Sequence, residues 1–119
     1  YITLWAYNLE TVLAEKIETV LSRSVLNTRL RDFYDLYVLQ DTGLEIDKAT
    51  LAAGLTATAR KRGSEQALAL YERTLDEIRI SPLMREQWKR YQEKNNYAAG
   101  IVWDDVISDI RALCDDCCK

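Results

Sequence analysis

Apolar positions recur along most of the chain with the three-to-four-residue spacing of a helix. Leu9, Val12, Leu13, Ile17, Val20 and Leu21 make one stripe and predict a helix over about 9 to 23. Asn8 stands before it as an N-cap, with Tyr7 and Val12 spaced for a hydrophobic staple. After a short connection at 24 to 27, Leu30, Phe33, Tyr34 and Tyr37 form a second stripe over about 28 to 40. Leu36 and Leu39 form another on the same segment, and a helix apolar on two sides is one buried between neighbours. Gly43 marks its exit.

Further along, Asp47 caps a third helix that stops at Gly63, with a thin stripe of Leu51, Leu55 and Ala59. Ser64 caps a fourth, carrying Leu68, Tyr71, Leu75 and Ile78 on one face. Ser81-Pro82 starts a fifth, with Ser at the cap and Pro in the first turn, lined by Met84, Trp88 and Tyr91 and broken at Asn95-Asn96. Asp104 caps the last, which buries Val106, Ile107, Ile110 and Leu113. Residues 1 to 7 differ: Ile2, Leu4 and Ala6 alternate, which is a strand signal. The expected fold is therefore mainly α, a bundle of five or six helices with a short N-terminal strand or extended arm. Residues 1–119 read as a single helical domain. Within it, 1–7 is a strand belonging to a preceding domain, 8–40 a helix pair and 41–119 the remaining bundle.

Composition narrows the function. The net charge of −3 gives no bulk drive toward nucleic acid or an anionic membrane, and no apolar run reaches the length of a membrane span. There is no histidine, which removes Ser-His-Asp and Cys-His mechanisms. The three cysteines, Cys114, Cys117 and Cys118, crowd one terminus. They are too few for a closed zinc site without histidine, and they continue the stripe of Ile110 and Leu113. Such usage fits a reducing cytoplasm. The chain begins at Tyr1 rather than Met and reads as a piece of a longer protein.

The predicted helix pair carries the chemistry. Lys16 lies beside Val12 and Val20 at the edge of the first stripe, with Arg23 two turns along the same line. Asp32 and Asp35 are three apart and share a face of the second helix, next to Arg31. Cations and carboxylates on adjacent helices suit phosphoryl or nucleotidyl transfer. The cations neutralise triphosphate oxygens and a carboxylate orients the attacking hydroxyl. The same residues also make an interhelical ion-pair network, a purely structural alternative. Two other groups are open to two readings. The Arg60-Lys61-Arg62 run and the Arg85, Lys89, Arg90 set are RNA phosphate contacts or solvated helix surface. Trp88, Tyr91, Tyr97 and Trp103 are base-stacking groups or core. The acidic residues of the last helix lack a calcium-loop pattern.

The segment Tyr-Asn-Leu-Glu-Thr-Val-Leu-Ala-Glu-Lys at 7 to 16, Leu-Ser-Arg at 21 to 23 and Arg-Leu-Arg-Asp-Phe-Tyr-Asp-Leu-Tyr at 29 to 37 resembles the AbiEii/AbiGii nucleotidyltransferase toxins of abortive infection. The later Trp88, Tyr97 and Trp103-Asp-Asp-Val-Ile are similar to that family's C-terminal helices. The resemblance implies a polymerase-beta-type domain followed by a helical domain, in a toxin held in check by a cognate antitoxin and contributing to phage defence. It implies transfer of a nucleotide from an NTP to RNA, often tRNA, with Mg2+. Lys16, Asp32 and Asp35 then match catalytic positions, and Lys16, Arg23 and Arg31 nucleotide-binding ones. The family's first motif, Gly-Ser followed by a metal-binding Asp-x-Asp, does not occur; Gly63-Ser64 has no such partner. The chain would then be the C-terminal part of such an enzyme, inactive alone, with metal ligands upstream. The competing expectation is a non-catalytic helical module that binds an antitoxin or RNA.

Overall fold

A computed structural model describes residues 2–41 and 45–118, with side chains over 9–40 and 45–118. The expected exit at Gly43 lies outside these residues. Among the described residues there are seven α-helices, two short 3-10 turns and no strand. The helices are α1 (Ile2–Arg23), α2 (Leu30–Asp41), α3 (Lys48–Arg62), α4 (Glu65–Ala69), α5 (Tyr71–Ile80), α6 (Pro82–Lys94) and α7 (Trp103–Cys117).

Over residues 2–7 the expected strand is not formed: α1 begins at Ile2 and runs through Asn8, which is therefore interior and not a cap. Three alternating positions are too few to fix a period, and a helix pairs its backbone groups internally whereas a lone strand has no partner. The seventh helix arises because the expected fourth is divided at Leu70, whose φ of −100 and ψ of 20 leave the helical range.

Local capping signals hold where the cap is free to act. Asp47 accepts from the Thr50 N–H, Ser81 accepts from the Met84 N–H, and Gly63 ends α3 in the left-handed region at φ 69. Two caps are different from expectation. Ser64 precedes α4 but donates its hydroxyl to Glu18. Asp104 lies inside the first turn of α7, where it pairs with Arg85.

The core is one cluster. α1 lies along α3 and also touches α2; α7 packs on α2, α3 and α5, so α2 and α3 stand between α1 and α7. Leu13, Ile17 and Val20 from α1 meet Leu51 and Leu55 in this interior, all fully buried. α3 passes α1 at Gly54, where a Cβ would find room in ordinary contact, 3.6 Å from Ala14 Cβ. At the other end Phe33 and Trp88 each pack against Trp103, with ring centroids 5.1 and 5.5 Å away. Trp88, Trp103 and Met84 are thus core groups, while Tyr97 stays exposed. Cys114 and Cys117 are buried on the α7 stripe as free thiols.

Candidate active site

α1 and α2 are each anchored by their apolar stripes, and this brings their flanking polar positions face to face. Lys16 follows the edge of the α1 stripe, so its methylene stem runs over half-buried Val12 and its ammonium reaches α2. There Nζ lies 2.9 Å from Asp35 Oδ2 and 3.3 Å from Asp32 Oδ1. The Lys16 side chain is 20% exposed, Asp35 22% and Asp32 only 4%. One ammonium thus bridges both carboxylates, with the more buried one behind.

Two arginines stand outside this bridge. Arg29 Nε is 3.7 Å from Asp32 Oδ2 and Arg31 Nε is 3.7 Å from Asp35 Oδ2, with both guanidinium groups mostly exposed. At that distance neither nitrogen makes a hydrogen bond. Asp32 Oδ2 is accordingly a buried oxygen with no hydrogen-bond partner among the described residues. Lys16, Arg29 and Arg31 against Asp32 and Asp35 leave one positive charge in surplus.

Lys16 separates two hollows. On one side about 210 Å³ is lined by Glu15, Thr19, Arg29, Asp32 and Arg62. On the other about 340 Å³ is lined by Arg31, Asp35, Val38 and Leu39, and is more apolar. The bridge is therefore paired, yet open to solvent on both flanks. Beyond Asp35, Tyr91 and Tyr97 share a hydrogen bond between their hydroxyls at 2.8 Å. Burial, then that bond, pushes the Tyr91 phenol up from its ordinary value, with Asp35 adding to the effect.

Of the five residues picked out in the sequence, the structure brings Lys16, Asp32 and Asp35 together and sets Arg31 at their rim. Arg23 is exposed and lines a separate hollow with Arg29, Arg62 and Ser64. Arg62 came to attention only as part of a basic helix end. Its placement depends on Glu18, 44 residues away, and no local spacing signals it.

The sequence profile described as "Nucleotidyl transferase AbiEii toxin, Type IV TA system" matches residues 1–108. The chain belongs to the AbiEii nucleotidyl transferase toxin family. Neither a curated protein nor a solved structure matches it. Membership ties the chain to a toxin role and, through the type IV toxin–antitoxin description, to an antitoxin partner. No helix among the described residues is long and apolar enough to cross a membrane.

Nucleotidyl transferases as a class use an NTP and Mg2+. The residues described here do not form the metal's cradle. The Lys16 ammonium fills the space between the two carboxylates, and no group of three or more metal-ligating side chains is found among the described residues.

Proposed function

We propose that this chain is the helical C-terminal domain of a nucleotidyl transferase toxin and supplies the lysine and aspartate half of its active site. The observation that carries the reading is the Lys16 ammonium bridging Asp32 and Asp35 between two open hollows, in a chain of this family. Asp32, with one oxygen unpartnered, is the carboxylate that accepts the proton of the acceptor hydroxyl. The hydroxyl oxygen of the acceptor then attacks the α-phosphorus of the NTP, a new P–O bond forms, and the bond to pyrophosphate breaks. Lys16 exchanges one carboxylate for the triphosphate and neutralises its oxygens, as Arg31 and Arg23 do at the rim. Asp35 keeps Lys16 oriented during the exchange.

In this reading the metal-binding carboxylates belong to a segment outside residues 1–119, since no Gly-Ser followed by Asp-x-Asp occurs within them. The 119-residue chain alone is then inactive. The acceptor is an RNA such as tRNA, the setting is the cytoplasm during phage defence, and a cognate antitoxin restrains the enzyme. The three free thiols accord with a reducing compartment.

The test is a transfer assay with labelled NTPs, Mg2+ and total tRNA, comparing the full-length toxin, its Lys16→Ala form and the 119-residue chain. Label on RNA from the full-length protein only, falling on the order of 100-fold in the Lys16→Ala enzyme, is the expected result. Equal transfer by the Lys16→Ala enzyme removes Lys16 from the mechanism. A folded, antitoxin-free toxin that transfers none of the four nucleotides favours the binding module, for which the ion pairs are structural.

A further inference from the structure

A separate hollow lies on α6, away from Lys16. Gln87, Arg90 and Lys94 are spaced three and four residues apart, so they share one face of that helix. Together with Tyr91, and with Thr28 and Leu30 at the start of α2, they line a volume of about 280 Å³. No carboxylate lines it, in a chain of net charge −3.

The lining groups differ in what they have left to give. Lys94 has no ion pair among the described residues. Arg90 is mostly exposed, and its Nε stands 3.6 Å from Glu86 Oε1, too far for a hydrogen bond. Both cations are therefore open to an anion. Tyr91 is held: its hydroxyl shares a hydrogen bond with Tyr97, and its ring is stacked on Trp88 with centroids 5.5 Å apart and planes 17° apart. It presents a fixed aromatic wall. Gln87 is the unfinished member. Its Oε1 is buried and has no hydrogen-bond partner among the described residues. An orphaned acceptor of this kind is costly, and an N–H donor from a ligand would relieve it once the amide turns about its broad terminal torsion. A merely solvated basic helix face needs neither the fixed ring nor the orphaned oxygen.

We propose that this groove between α2 and α6 binds a segment of single-stranded RNA. Arg90 and Lys94 take its phosphates, one base lies against Tyr91 and Leu30, and an N–H on the edge of that base donates to Gln87 Oε1. Every unpaired base carries a flat face and an N–H edge, so the site is tolerant of sequence. An acidic peptide would use the two cations but has no flat group for the ring. Around α2, Arg31 falls between Leu30, which lines the groove, and Asp35, which meets Lys16. A strand seated here therefore passes Arg31 on its way to the proposed reaction centre. That path rests on the transferase reading; the binding itself does not.

The test uses the 119-residue chain without NTP or Mg2+, so transfer plays no part in the result and its failure is not the failure of the transferase reading. A fluorescein-labelled ten-nucleotide oligouridylate is followed by anisotropy, beside a labelled abasic ribose-phosphate strand of the same length. Uridine monophosphate and a glutamate peptide serve as competitors. The oligouridylate should bind, the abasic strand about tenfold more weakly, and neither competitor should displace the RNA at equal concentration. Arg90→Ala and Lys94→Ala should each weaken the oligouridylate about tenfold, as loss of one charge-assisted contact does. Each should also reduce the slope of log K against log salt by about 0.7. Gln87→Met should weaken the oligouridylate about tenfold and leave the abasic strand unchanged. Lys94→Ala breaks no ion pair of the described residues, and Gln87→Met removes an oxygen that has no partner among them, so both stay informative about binding. Arg73→Ala, on α5 and outside the groove, is the control and should bind as the parent does. Absence of oligouridylate binding overturns the proposal. So does equal binding of the abasic strand, displacement by either competitor at equal concentration, or binding that the three folded groove variants leave unchanged.

Discussion

Two carboxylates, one on α1 and one on α2, are buried to nearly the same degree, and they are finished differently. The Glu18 side chain is 3% exposed; one oxygen holds Arg62 and the other Ser64. The Asp32 side chain is 4% exposed; one oxygen holds Lys16, and the other has no hydrogen bond among the described residues. A buried charge is costly unless it is paired and hydrogen-bonded, so Glu18 is complete as it stands. Asp32 is incomplete, and it borders a hollow. On the proposed reading it is the oxygen left over, and not burial, that sets Asp32 apart from Glu18.

The widest separation between the two sites is expected in Asp32→Asn. The amide keeps the shape but cannot take a proton, so transfer by the full-length toxin should fall on the order of 100-fold. Unfolding free energy should move by no more than about 1 kcal/mol, because Lys16 retains Asp35. Kinetics beside urea denaturation check both halves. Glu18→Ala should do the opposite in stability: removal of the seat of Arg62 and Ser64 should cost about 2 kcal/mol, read from the urea midpoint. A Glu18→Ala chain as stable as the parent would erase the contrast.

Alkaline titration draws on a third place, the end of α7. A hydrogen bond from its own thiol to Cys114, then burial, pushes the Cys118 thiol up to about 12. Burial, then the bond to Asp115, raises the Tyr71 phenol. Both folded-state values exceed the unfolded ones, so the folded chain holds these protons more tightly. Their stabilisation is full below the unfolded thiol value of about 8.5 and is lost as pH rises toward 12. Denaturation midpoints should therefore decline between about pH 9 and 12, and less so in Cys118→Ala. The smallest effect is a gain. Gly54→Ala adds a methyl at ordinary contact distance from Ala14 and should stabilise by about 0.5 to 1 kcal/mol without altering transfer. A loss of stability instead would mean that α1 and α3 are packed more tightly than 3.6 Å indicates.

What the sequence made legible was local. Asp47, Gly63 and Ser81-Pro82 act on residues within a turn of themselves, so their roles follow from spacing. The Lys16, Asp32 and Asp35 meeting was also readable, because two adjacent amphipathic helices can pack their stripes in few ways. Glu18, Arg62 and Ser64 were not: their contacts span 44 and 46 residues and join α1 to the far end of α3. Ser64 and Asp104 look like caps in sequence, but each finds a charged partner from another helix, which local pattern does not reveal. The alternation at Ile2, Leu4 and Ala6 fits a strand on period alone, and the backbone's need for partners settles it as helix.

The most direct test of the central claim sets Lys16→Ala beside Glu10→Gln in the full-length toxin. Glu10 is also on α1 and buried, but it accepts the Asp47 N–H at 3.1 Å, a role an amide oxygen can keep. Initial rates of nucleotide transfer to tRNA would be compared, with circular dichroism confirming both folds. The account predicts a drop on the order of 100-fold for Lys16→Ala and a rate close to the parent's for Glu10→Gln. Equal rates for the two folded variants would contradict it.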